Sequence, residues 1–219
     1  MTFTDRADAG RRLAERLLRF KVQRPVVLAL PRGGVPVGYE IARALAAPLD
    51  VVLVRKLGAP QQTELAVGAI ALGSEPVMVM DPALIAALGI PERELVALEA
   101  REREELARRR DVFRAGRPPP EVAGRTAILV DDGIATGATM RAALRATRSE
   151  QPARLVLAVP VAPPETLDAL AVEADEIVCL NQPRRFLAVG QFYRHFPQLE
   201  DREVMDLLEQ ARAPGAGPA

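Results

Sequence analysis

The sequence predicts an α/β fold built on a doubly wound parallel sheet. Short, continuous apolar runs alternate with amphipathic stretches of helix length, the pattern of strands covered by helices on both faces. Residues able to do chemistry, Arg32, Asp131 and Asp132 among them, fall at the ends of those runs, where open α/β sheets bind ligands. The length of 219 residues suits a single domain over positions 1–219.

Positions 4–20 carry Leu13, Leu17, Leu18 and Phe20 on one side, so a helix with Thr4 or Asp5 as cap is expected. Positions 26–30 follow as a buried strand, and Pro36 marks the start of a helix through Ala46. Positions 49–54 form the next strand. Positions 61–65 have turn-forming polar character before an apolar run at 66–72, and 76–80 is a further strand. Asp81-Pro82 opens a helix that Gly89 breaks, and Pro91 opens a long helix to about Arg114. Its apolar stripe is thin: Leu95, Leu98, Leu106 and Phe113. Charges of both signs dominate 99–111, which fits a solvated helix with internal ion pairs better than a DNA-contacting one. That face could also join copies of the chain in a homo-oligomer. Arg117-Pro118-Pro119-Pro120 reads as a stiff linker back to the central strand at 127–130. A helix at 139–150, strands at 155–160 and 176–180, and a helix opened by Pro163-Pro164 complete the alternation. Asp201 caps a last helix, and 213–219 is expected to be a flexible tail.

The chain carries 29 basic and 29 acidic residues, so no global field favours nucleic acid or a membrane surface. No twenty-residue apolar span or signal peptide is visible. Cys179 is the single cysteine and sits inside an apolar run, which implies a core thiol and a reducing compartment. A soluble, cytoplasmic protein is expected. His195 is the single histidine, without a neighbouring partner in sequence, and reads as a surface residue.

The stretch from Ala127 through Met140 carries the chemistry. An apolar strand ends in Asp131-Asp132, and a loop of Gly133, Ile134, Ala135, Thr136, Gly137, Ala138 and Thr139 then leads into a helix. Strand, loop and helix N-terminus aim several backbone N–H groups at one spot, which attracts phosphate. Like charges would repel, so the two carboxylates cannot share that phosphate; they suit sugar hydroxyls or a metal ion. Ala138 stands where a P-loop needs Lys, and the three-glycine dinucleotide spacing is absent. The block as a whole resembles the phosphoribosyl-pyrophosphate (PRPP) motif of the type I phosphoribosyltransferases.

A second segment is similar to the same family. Pro31-Arg32-Gly33-Gly34 follows the first strand and resembles the diphosphate loop of the xanthine and hypoxanthine branches, which often contains a non-proline cis peptide. The resemblance implies PRPP binding by Arg32, Gly33, Gly34 and the residues Ala135, Thr136, Gly137, Ala138 and Thr139. It implies Asp131 and Asp132 on the ribose hydroxyls or on Mg2+. Arg55 and Lys56 resemble the basic pair of a mobile loop that balances the departing diphosphate, with Glu64 as a candidate anchor for that loop. Positions 181–199, rich in aromatics, resemble the small hood over the nucleobase, with Phe192 or Tyr193 as stacking platform. Positions 81–117 lengthen the family core as a helical insertion. The implied reaction is transfer of phosphoribose from PRPP to a small nitrogenous base, with Mg2+ and release of diphosphate. Ala135 stands where hypoxanthine-type enzymes carry a proton-handling Asp, so the resemblance does not name the acceptor. A non-catalytic PRPP-binding regulatory protein is the alternative; no helix-turn-helix accompanies it, so DNA is not an expected partner.

Overall fold

Residues 1–60, 62–72, 76–114 and 118–211 are described by the structure, a computed structural model. The first helix, α1, covers Arg6–Leu17 behind an Asp5 cap whose side chain accepts from the Asp8 N–H. Ala9, Leu13, Ala14 and Leu17 form its buried face. The expected helix is shorter at its C-terminal end, because residues Leu18–Gln23 tighten into a 3-10 turn closed by Arg24 in the left-handed region. Strand β1 (Val26–Ala29) is buried along its whole length. Helix α2 (Gly34–Leu45) starts before Pro36, straight out of the Arg32-Gly33 loop.

The expected strand at 49–54 is two strands in two sheets. Strand β2 (Leu49–Val51) pairs with β1, whereas β3 (Leu53–Ala59) leaves for an antiparallel sheet. Hydrophobicity cannot mark that switch, since Val51, Val52 and Leu53 are all buried. Positions 62–65, expected as part of a polar turn, belong instead to strand β4 (Gln62–Leu72), and β3 and β4 make a hairpin in which Ala59 faces Gln62. Strand β5 (Pro76–Met80) completes this three-stranded sheet in the order β3-β4-β5. The doubly wound parallel sheet is thus joined by a separate antiparallel one.

Helix α3 (Pro82–Leu88) is capped by Asp81 and stopped by Gly89, and α4 (Glu92–Arg114) buries Leu98, Leu106 and Phe113. Its outer face carries the expected ion pairs, Glu99–Arg103 and Glu105–Arg108. Its last turn is tied to β2, where Arg114 holds Asp50 at 2.9 Å, the two side chains being 11% and 1% exposed. The chain then enters β6 (Thr126–Val130), α5 (Ala138–Ser149), β7 (Arg154–Val161), α6 (Pro164–Leu170) and β8 (Glu176–Asn181). The five parallel strands lie in the order β2-β1-β6-β7-β8. Phe3 pairs with Tyr193 in an isolated bridge, so the segment before α1 lies against the hood. The final helix, α7 (Asp201–Gln210), is capped by Glu200 rather than Asp201: Glu200 and Glu203 each bond the other's backbone N–H. Among the described residues no helix is long and apolar enough to cross a membrane. The expected tail at 213–219 lies outside the described residues.

Breaking a buried ion pair by removing one partner leaves an uncompensated charge and costs about 3–5 kcal/mol. Arg114→Ala is therefore expected to lower the urea midpoint by an amount worth about 3 kcal/mol, with an unchanged m-value. A loss below about 1 kcal/mol, typical of a surface pair, would show that α4 is not held through Asp50.

Candidate functional site

Strand β6 delivers Asp131 and Asp132 to the carboxyl edge of the parallel sheet, beside the loop that follows β1. The two loops touch closely. A Cβ on Gly33 would lie 2.1 Å from Asp132 Oδ2, and one on Gly34 would lie 2.7 Å from the Val130 carbonyl oxygen, so only glycine fits. The Pro31–Arg32 peptide is cis, the feature the resemblance implied.

Asp132 is buried and engaged on several sides. Its Oδ2 accepts from Arg6 Nε at 2.7 Å, and its carbonyl oxygen accepts from the Tyr193 hydroxyl at 2.6 Å. Arg6 also donates from Nη1 to the Pro197 carbonyl, and its guanidinium carbon lies 3.8 Å from the Phe196 ring centroid. Asp131 is half-buried, and its Oδ1 accepts from the Asp132 N–H at 2.8 Å. Burial, together with the Asp132 carboxylate beside it, pushes Asp131 well above the usual carboxylate range. Burial also raises Asp132, with the Arg6 guanidinium opposing it.

The loop after the acids is braced from behind. Ile134 N–H donates to the Val161 carbonyl, and the Thr166 hydroxyl donates to the Ala135 carbonyl at 2.7 Å. Gly137 takes φ +79° and stands at the N-terminus of α5 with no side-chain cap, which leaves first-turn N–H groups for an anion. Ala135, Thr136 and Ala138 are exposed and Thr139 half-buried.

Two recesses flank this centre. A cleft of about 500 Å³ lies under the hood, lined by Arg6, Arg32, Gly33, Asp132, Val189 and Phe196 among others. A groove of about 420 Å³ lies between the antiparallel sheet and the loop at 133–139 and includes Ala69, Thr136, Ala138 and Arg141. Lys56 is exposed and lies opposite Ala69 in the β3–β4 ladder, so it shares the sheet face that borders the groove. Arg55 does not join it. Adjacent strand residues point to opposite faces, and Arg55 pairs with Glu102 and Glu105 of α4 at 2.6 and 3.8 Å. The Glu64 side chain lies outside the described residues.

The expected stacking platform is not where the sequence suggested. Phe192 and Tyr193 are buried, Phe192 against Phe186 and Tyr193 between Phe3 and Phe196. A bulky aromatic pair in a small segment seals that segment's own core, and burial raises the Tyr193 hydroxyl above its ordinary value. The cleft meets Phe196 instead, along with Arg6, which nothing in the spacing of an Arg-rich chain singles out. His195 is exposed, and Cys179 is half-buried with its thiol donating to the Asn181 carbonyl.

A model of the phosphoribosyl transferase domain matches residues 3–193. The chain belongs to the phosphoribosyl transferase domain family. Two relatives from Mycobacterium tuberculosis strains H37Rv and CDC 1551, each named "Putative phosphoribosyl transferase", are 48% identical over 209 residues. The match covers 95% of this chain and 47% of each relative, so the chain spans about half their length. The crystal structure of TT1426 from Thermus thermophilus superposes with a TM-score of 0.82 at 44% identity, covering 97% of this chain and all of that one.

Two outcomes follow from this geometry. With its pKa raised in the folded state, Asp131 holds a proton that the unfolded chain has already lost as pH climbs past the ordinary Asp value. Stability therefore falls as pH rises from that ordinary value through the raised one. Melts of wild type and Asp131→Asn from pH 4 to 8 should diverge in the variant's favour toward high pH; parallel curves would refute the shift. Phe192→Ala should cost about 3–5 kcal/mol of folding stability, as for a core aromatic; an unchanged melting temperature would restore it as an exposed platform.

Proposed function

We propose that this phosphoribosyl transferase domain binds PRPP with Mg2+ and transfers its phosphoribosyl group to a nitrogenous base. The observation that carries the reading is the contact of Gly33 with Asp132, which sets a diphosphate-type loop against a sugar-type acid pair beside an uncapped helix N-terminus. In this arrangement the 5′-phosphate rests on backbone N–H groups of residues 135–139. The ribose hydroxyls lie on Asp131, with Asp132 behind it, and the diphosphate lies against Arg32, Gly33 and Gly34.

The acid pair also fits a divalent cation. Among the described residues Asp131 accepts through Oδ1, and Mg2+ is commonly held by one or two carboxylates together with substrate phosphates and water. Bound there, it would supply charge neutralisation to the leaving diphosphate. The remaining work belongs to positioning. A base nitrogen forms its bond to ribose C1 as the bond from C1 to the diphosphate oxygen breaks, through an oxocarbenium-like transition state. Lys56, on the face bordering the phosphate loop, meets the charge that grows on the departing oxygen, while Arg55 remains with α4. The alternative is a non-catalytic PRPP-binding regulator.

Incubation with Mg2+, PRPP and a panel of bases, followed by diphosphate release, separates the two. Base-dependent release is expected; tight PRPP binding without turnover for any base would establish the regulator. Asp131→Asn should weaken Mg–PRPP binding roughly tenfold to a hundredfold, the worth of a hydrogen bond to a charged group, with the fold intact. Lys56→Ala should lower turnover more than PRPP affinity. Equal loss in both parameters, or none, would remove Lys56 from the diphosphate.

A further inference from the structure

Phe196 is the aromatic ring at the cleft, yet neither of its faces is free. Tyr193 stacks on it with centroids 4.8 Å apart, and the Arg6 guanidinium carbon stands 3.8 Å from its centroid. Two groups so close cannot occupy one face without overlapping, so they cover opposite faces. Phe192 and Tyr193 are themselves buried. A planar ligand under the hood therefore finds no open aromatic face on these three rings. Arg6, which lines the cleft with a side chain 10% exposed, carries the flat guanidinium that packs on Phe196.

That guanidinium is fixed in place by Asp132 Oδ2 at 2.7 Å, the Pro197 carbonyl at 2.9 Å and the Phe196 ring. Arginine carries five N–H donors and no acceptor, and these hydrogen bonds use two of the five. Arg32, which lines the same cleft and is assigned above to the diphosphate, is likewise donor-only. The one carboxylate in the lining, Asp132, is committed to Arg6 and closely abutted by Gly33. The two cationic side chains of the lining are thus donors only.

We infer that Arg6 is the specificity-determining residue of the acceptor site, and that the acceptor is a planar base presenting a carbonyl or carboxylate oxygen to it. The inference rests on the phosphoribosyl-transfer reading above. A base whose exocyclic group is only an amine would set that N–H against the guanidinium N–H and would have only ring nitrogens to accept from it. Sites built to hydrogen-bond a ligand discriminate strongly against analogues that leave their buried groups unpaired.

The test is to saturate the protein with Mg2+ and PRPP, then titrate uracil, xanthine, orotate and adenine, following binding and diphosphate release together. At least one oxygen-bearing base should bind on the order of tenfold to a hundredfold tighter than adenine. Arg6→Gln, which introduces an acceptor, should collapse that ratio, and Arg6→Lys, which keeps the charge without the fork, should reduce it partway. The ratio is the readout because a loss of packing would weaken all bases alike; thermal melts identify the folded variants, and Arg6→Lys alone decides if Arg6→Gln does not fold. Adenine binding as tightly as every oxygen-bearing base, or no base binding to the PRPP-loaded protein, overturns the inference. So does an unchanged ratio in a folded variant. Failure of PRPP itself to bind is seen before any base is added, and overturns the transfer reading on which this one stands.

Discussion

Two carboxylates placed side by side at the end of a buried strand repel each other and lose hydration, and the single guanidinium beside them bonds only one. Arg6 reaches Asp132 from the first turn of α1, with Tyr193 bonded to the carbonyl of the same aspartate. The consequence is an asymmetry between neighbours identical in chemistry. Asp132 is anchored and acts as part of the frame, while Asp131 keeps an oxygen without a protein partner among the described contacts. A buried ion pair of this kind adds less to stability than its geometry suggests, since desolvation offsets much of the attraction. Its effect is orientation: α1 and the loop after β1 meet at the carboxylate of one aspartate, and the hood at its carbonyl.

The antiparallel sheet is placed by its two unlike faces. Ala69 and Ala71 meet Ala142 and Ala146 of α5, and small side chains on both surfaces permit close approach of sheet and helix. Leu53, Leu57, Ile70 and Leu72 on the other face belong to the same core as Leu98, Leu106 and Phe113 of α4. Pinned between helices, β3 presents Arg55 to α4 and Lys56 to the side of the phosphate loop, a division that follows from strand periodicity alone.

The parallel sheet was legible because continuous apolar runs at 26–30, 127–130 and 155–160 have few other uses, and Gly and Asp at their ends marked the ligand edge. The change of sheet at Val52 was not. Both partners there are buried, so composition shows no seam, and pairing is decided by segments far away in sequence. The hood was visible as an aromatic cluster, but which rings face inward depends on Phe3 and Asp132, neither adjacent in the chain. Arg6 escaped notice for a simpler reason. One arginine in a helix's first turn looks like any other until the acid 126 positions later is brought to it.

The same separation bears on how the molecule comes together. Arg6 bonds Asp132 across 126 positions and the Pro197 carbonyl across 191. During synthesis, α1 and the first strands emerge long before either partner exists, so Asp132, once made, waits for the hood before its environment is complete. Contacts of such long range form slowly, because loop-closure entropy is lost before they contribute. Strands β1, β6 and β7 are all synthesised before the segment that completes the cleft wall. A nascent chain released before position 197 would hold the strand end and its acids but lack the residues that close over them.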